Sequence, residues 1–285
     1  MRSRRSKQCR DEVMQAINKV GIDVVRINEI TKSVSINELL SQVKRRKPKL
    51  LIVTGGDGTI SDVVDHLVGT KIEIGLIPIG TTNNFARSLN IPMDITGAVS
   101  IISNQFAEPV DLGKVKNEYF TNVAGIGLSA LVASSVTNDL KLRWGRFAYA
   151  LVAAKELIKH KPFRASIEDK DSELKIHLKT HLLIVANGRY HAGKEIAKNA
   201  KLDNNQLIIF ALGSGSRLSL IWHMARFYLG NRQKAEYSSY LVGNNIKIST
   251  NTRQPIELDG EVRYSTPSNF EVAPSAVYVR YKKST

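Results

Sequence analysis

Cysteine is almost missing from this chain of 285 residues: Cys9 stands alone, so an internal disulfide framework is excluded. Aromatic residues make up only 7%, and there is no zinc-finger spacing, RNP-like strand or basic helix leading into heptads. A sequence-reading nucleic-acid module is therefore not expected. Long apolar runs are lacking as well. FAYALVAA, residues 147–154, falls far short of the ~18–20 apolar residues a spanning helix needs. The basic start MRSRRSKQCRDEV is not followed by the apolar core of a secretory signal, so a cytoplasmic location with peripheral membrane contact is expected. Negative charge is scarce too: 41 Lys and Arg face 26 Asp and Glu, for a net charge of +15. Residues 1–50 alone hold 13 basic against 5 acidic residues. That asymmetry suits an acidic partner, and an anionic membrane surface fits it best.

Glycine is present where it counts. In LLIVTGGDGT, residues 50–59, a short apolar run of parallel-strand type leads into Gly55, Gly56 and Gly58, and a helical pattern follows from about Ile60. The first N–H groups of a helix lack intrahelical partners and favour an anion, so the turn reads as a phosphate cradle. Asp57 is out of place there unless a cation, Mg2+ carried by a nucleotide, lies between it and the phosphates.

The first half of the chain alternates helix and strand. Helical spacing covers 11–20, 36–45, 60–68, 83–89 and 95–102; strands are predicted at 21–28, 50–54 and 72–79. This is a Rossmann-like α/β pattern. From about 110 the segments VDLGKV, EYFTNVA, FRASIED, ELKIHLKTHLLIVAN, QLIIFAL, NIKIST, PIELDG and AVYVRYK predict a β-rich unit, interrupted by helices at 128–136, 143–159 and 217–230. Two domains follow, 1–109 and 110–271, with 272–285 returning to pack on the first. Leu151 and Ile158, in the helix at 143–159, are expected in the core rather than along an acyl groove.

Four segments stand in a fixed order: GGDGTISDVV (55–64), IPIGTTNNFARSLNIP (77–92), ANGRYHAGKEIAKNAKLDNNQL (186–207) and IELDGE (256–261). Together with VDLGKVKNEYFTNVAGIGLSA (110–130), they resemble the diacylglycerol kinase catalytic family, in particular the bacterial soluble lipid kinases that share the NAD kinase fold. The resemblance implies an α/β domain, a β-sandwich domain and an active site between them. It also implies ATP and Mg2+ as cofactors and transfer of phosphate to a lipid hydroxyl, diacylglycerol to phosphatidic acid, at a membrane surface.

Carried over residue by residue, Glu261 is the general base and Asp57 engages the phosphate-bound cation. Thr31, Gly55, Gly56, Asp57, Gly58, Thr59, Thr81 and Asn83 line the nucleotide site. Lys201, Asn204 and Gln206 take the positions of a structural Mg2+ loop, with Asp203 as a substitute carboxylate. The chain departs from the family at several points. Asn84 and Asn204 replace acidic residues, Ser61-Asp62 replaces Asn-Glu, Ser129 stands where an Asp is common, and the first strand with its Asn-Pro turn has no counterpart. GRYHAGK, 188–194, fits seven positions of a P-loop but fails at Glu195, where a Ser or Thr is needed. The alternatives are an NAD kinase and a nucleotide- or membrane-binding module without turnover; a homodimer is left open.

Overall fold

The computed structural model describes residues 2–30, 34–136, 146–172, 174–191, 193–197, 200–213 and 238–283. Helices α1 (Arg2–Lys19) and α2 (Ile36–Arg46) precede β1 (Leu50–Gly55), α3 (Asp57–Leu67) and β2 (Glu73–Pro78). After them come the short α4 (Asn84–Ser88) and α5 (Ile95–Asn104). β1 and β2 run parallel, Leu50 opposite Glu73 through Gly55 opposite Pro78. In α3 the residues Ile60, Val63, Val64 and Leu67 are buried, the i, i+3, i+4, i+7 stripe of a helix lying on a core. Ile102 of α5 sits over Gly75 of β2, where a Cβ would approach it to 3.0 Å. Helix and strand meet closely there because Gly75 has no side chain.

One predicted strand is not formed. Residues 22–30 make no strand, and Val25 and Ile27 are 93% and 52% exposed. Alternation is insufficient without a neighbour to complete the ladder. Among the described residues β1 is paired only by β2, and 22–30 pair with neither. An ion pair of Arg10 with Glu29 at 2.7 Å ties this segment to α1 instead.

The β-rich part comprises β3 (Ala107–Val115), β4 (Glu118–Phe120), β5 (Val123–Gly127), β6 (Phe163–Asp169), β7 (Lys175–Ala186), the small pair β8 (Tyr190–His191) and β9 (Lys194–Glu195), β10 (Leu207–Gly213), β11 (Ser238–Gly243), β12 (Asn245–Thr250), β13 (Pro255–Leu258), β14 (Glu261–Ser265) and β15 (Ser268–Arg280). Its core is a second cluster that includes Phe120, Ile126, Phe163, Ile167, Leu183, Ile209, Ile246 and Phe270. β15 joins the two parts: it starts antiparallel to β12, and Tyr278 and Val279 end parallel to β2. Val277 and Val279 thereby enter the core that α3 and α5 cover.

Helix α6 (Leu128–Ser135) follows β5 directly, and α7 (Arg146–Lys159) packs on it through Val152, Ala153 and Leu157. Leu151 and Ile158, expected in the core, are instead 56% and 57% exposed. They lie on the face of α7 turned away from α6. The helix expected at 217–230 lies outside the described residues.

Candidate active site

Two turns form the first wall. The helix after β1 begins at Asp57, three residues earlier than its apolar spacing suggests, with extended Gly56 as its N-cap. Among the described residues no side chain caps this end. Gly58 is exposed and keeps a negative φ, and a Cβ there would meet nothing within 4 Å. Neither the turn nor internal packing requires glycine at 58, so its missing side chain leaves open approach to the free N–H groups of α3. A phosphate fits this end. Gly55 is buried beneath Thr59, whose Cβ would lie 2.9 Å from a Cβ at 55.

The second turn, residues 80–83, lies against the first. A Cβ on Gly80 would come within 2.6 Å of the Gly56 Cα, so the two glycines allow backbone-to-backbone contact. Asn83 takes the left-handed conformation, accepts from the Gly80 N–H at 2.9 Å and donates to the Gly80 carbonyl at 2.9 Å. Its side chain is 4% exposed and closes the turn. Thr81 is exposed at the rim. Thr31 lies outside the described residues.

Asp57 is bonded to the second turn. Its Oδ2 accepts from the Thr82 hydroxyl at 2.5 Å and its Oδ1 from the Asn84 N–H at 2.6 Å. As the first residue of α3 it also lies at the positive end of the helix dipole. Each carboxylate oxygen accepts one bond from the neighbouring turn and keeps a lone pair for a further partner. Asp57 joins the two turns.

Asn84, where the resemblance implies an acid, accepts from the Gly193 N–H at 2.8 Å through its amide oxygen. The β8–β9 hairpin, the near-miss P-loop, thus docks on the second turn, braced by an Arg189–Glu195 ion pair at 2.6 Å. Ser88 adds a contact by accepting from the Arg189 N–H at 3.1 Å.

The opposite wall is the turn between β13 and β14. Asp259 is left-handed (φ 47) and Gly260 has φ 100. Asp259 Oδ2 accepts from the Thr121 N–H at 2.6 Å, the Thr121 hydroxyl at 2.7 Å and the Ser61 hydroxyl at 3.1 Å. Its Oδ1 accepts from the N–H groups of Asn122 and Val123 at 3.0 and 3.1 Å. Burial raises the Asp259 pKa, and these donors oppose that rise. The Ser61 bond brings α3 to this turn. Glu261, the next residue but one, is exposed and paired with Arg263. Asp62 of α3 faces it: burial first, then the charge of Glu261, pushes the Asp62 carboxyl upward.

The loop of Lys201, Asp203, Asn204 and Gln206 lies ahead of β10. Asp203 forms an ion pair with Lys283 at 3.0 Å. Asn204 Nδ2 donates to Gln206 at 3.2 Å, while Asn204 Oδ1 is buried without a partner. That orphaned oxygen suits a cation, but it is neutral; of the acids beside it, Asp203 pairs with Lys283 and Asp111 accepts from the N–H groups of Asn205 and Ser275, each at 2.8 Å. The residues present do not make a full Mg2+ ligand set.

Glu257 was not legible as a site residue. It is buried on β13, where it reads as the outward polar position of an alternating strand, and no local signal marks it.

Residues 2–115 match the diacylglycerol kinase catalytic domain, and residues 122–281 match the YegS C-terminal NAD kinase beta sandwich-like domain. The chain is 27% identical over 262 residues to diacylglycerol kinase of Bacillus subtilis, covering 91% of this chain and 86% of that protein. It is 32% identical over 224 residues to diacylglycerol kinase of Staphylococcus epidermidis, covering 78% and 70%. A crystal structure of a diacylglycerol kinase from Bacillus anthracis superposes with a TM-score of 0.69 at 25% identity, covering 88% and 84%.

Proposed function

The chain belongs to the diacylglycerol kinase catalytic family and is a lipid kinase, and from that premise we propose that it transfers the γ-phosphoryl group of ATP to diacylglycerol between these two walls. The observation that carries the reading is the Ser61–Asp259 bond of 3.1 Å, because it joins the helix with the open N-terminus to the turn that ends in Glu261. A phosphate-binding end and a carboxylate base then serve one reaction.

The uncapped start of α3 and the bare backbone at Gly58 hold the ATP phosphates, with Thr81 contributing a hydroxyl at the rim. Asp57 keeps the second turn against the first. Glu261 accepts the proton of the lipid hydroxyl as it attacks phosphorus, and Arg263 orients its carboxylate. Mg2+ carried by ATP supplies neutralisation of the phosphate charge, and Asp62 and Glu261 are the carboxylates that would face it. Substrate reaches the cleft from an anionic membrane: the net charge of +15 attracts headgroups, and exposed Leu151 and Ile158 on α7 offer apolar contact.

The test offers purified protein labelled ATP and Mg2+ with mixed-micelle diacylglycerol, ceramide or NAD. Label is expected in phosphatidic acid. Label in NAD alone, or in no acceptor, contradicts the proposal.

A further inference from the structure

We propose that Glu257 is a positioning residue for phosphoryl transfer, a buried carboxylate that joins the start of α6 to the Gly260 amide and so fixes the turn presenting Glu261. The inference rests on the lipid-kinase reading of the same cleft. Glu257 is 1% exposed. One oxygen accepts from the Ser129 hydroxyl at 2.7 Å and the other from the Gly260 N–H at 2.6 Å. Ser129 is in the first turn of α6, and Gly260 immediately precedes Glu261.

The fold makes room for this group. Gly125 of β5 pairs with Glu257, and a Cβ on it would lie 2.3 Å from both Glu257 Oε1 and Ser129 Oγ. A glycine, a hydroxyl and a carboxylate from three elements meet at one point. Burial pushes the Glu257 carboxyl up to about 7; Ser129 and Gly260 pull it back, and the charge of Asp259 adds to the rise. Among the groups acting on it, Asp259 is the ionisable one. An ionisable group in so dry a place opposes folding, and such groups concentrate where geometry serves chemistry.

Its two acceptors explain the choice of residue. A carboxylate receives the hydroxyl and the N–H together, whereas glutamine has one acceptor oxygen and sets an NH2 group against the second position. The consequence is an exact division of labour in the turn: Asp259 anchors its first residue through five donors, and Glu257 anchors its second. Glu261 inherits its direction from both.

The experiment compares wild type, Glu257→Gln and Ser129→Ala on diacylglycerol micelles, with nucleotide affinity measured at pH 8. Glu257→Gln is expected to lower kcat about tenfold and leave ATP affinity within twofold. Ser129→Ala removes a donor that favours the ionised form, so the acidic limb of its kcat profile should move to higher pH. A merely structural residue gives another pattern, in which kcat and ATP affinity fall together and the acidic limb stays in place. That pattern, or a kcat within twofold of wild type for Glu257→Gln, overturns the inference while the lipid-kinase reading stands. A wild type that phosphorylates no lipid defeats both.

Discussion

At the scale of single residues, Asp259 and Glu257 are both carboxyls that burial pushes upward, and they differ in the number of donors that meet them. Asp259 is held by five donors, so Asp259→Asn leaves N–H groups facing an amide and should cost about 2–4 kcal/mol in urea unfolding. Glu257 meets two. Its carboxyl rises from an ordinary 4.5 to about 7, so between these values the folded state binds a proton that the unfolded state has lost. Stability from this group is therefore greatest below 4.5 and declines as pH rises to about 7. Glu257→Gln should remove that decline, so the difference in unfolding free energy between variant and wild type moves in the variant's favour as pH rises from 4 to 8. A difference that is the same at pH 4 and pH 8 would contradict this. These roles were hidden for a physical reason: the partner of Glu257 is Ser129 and the partners of Asp259 are 61 and 121–123, all remote in sequence. The bonds of Asp57 were hidden in the same way, since the turn that supplies them begins more than 20 residues later.

Among elements, the glycine turns are legible because a strand, a glycine cluster and an amphipathic helix leave few alternatives. What the pattern does not reveal is that Gly56 packs on Gly80. Gly80→Ala would place a Cβ 2.6 Å from backbone, which cannot move as a side chain can, and should cost about 1–3 kcal/mol while weakening nucleotide binding. Calorimetry with ATP and Mg2+ checks both. The predicted strand at 21–28 fails because pairing is a property of two segments, and its apolar alternation says nothing of a partner. Helix α7 shows the same limit: Leu151 and Ile158 look like core residues until α6 is seen on the other face. Replacing both with Ser should leave stability within ~0.5 kcal/mol, as for exposed positions, and raise the apparent KM for vesicle-borne lipid several-fold. Activity on a short-chain, soluble diacylglycerol should not change.

For the whole molecule, the order of four motifs foretells two domains with chemistry between them, and β15 supplies the link that motif order does not show. The net charge of +15 predicts that binding to vesicles of anionic lipid weakens as salt shortens the screening length from ~10 Å at 0.1 M towards ~3 Å at 1 M. Co-sedimentation at the two salt concentrations measures it, and salt-independent binding would remove charge as the docking force. The central claim is that a phosphate-binding helix end and the Glu261 carboxylate act on one lipid. Its most direct measurement is transfer of label from ATP to diacylglycerol by wild type and by Glu261→Gln, at equal nucleotide affinity. The account predicts phosphatidic acid from wild type and a loss of at least a hundredfold in kcat for the variant. Near-normal turnover by Glu261→Gln would contradict it.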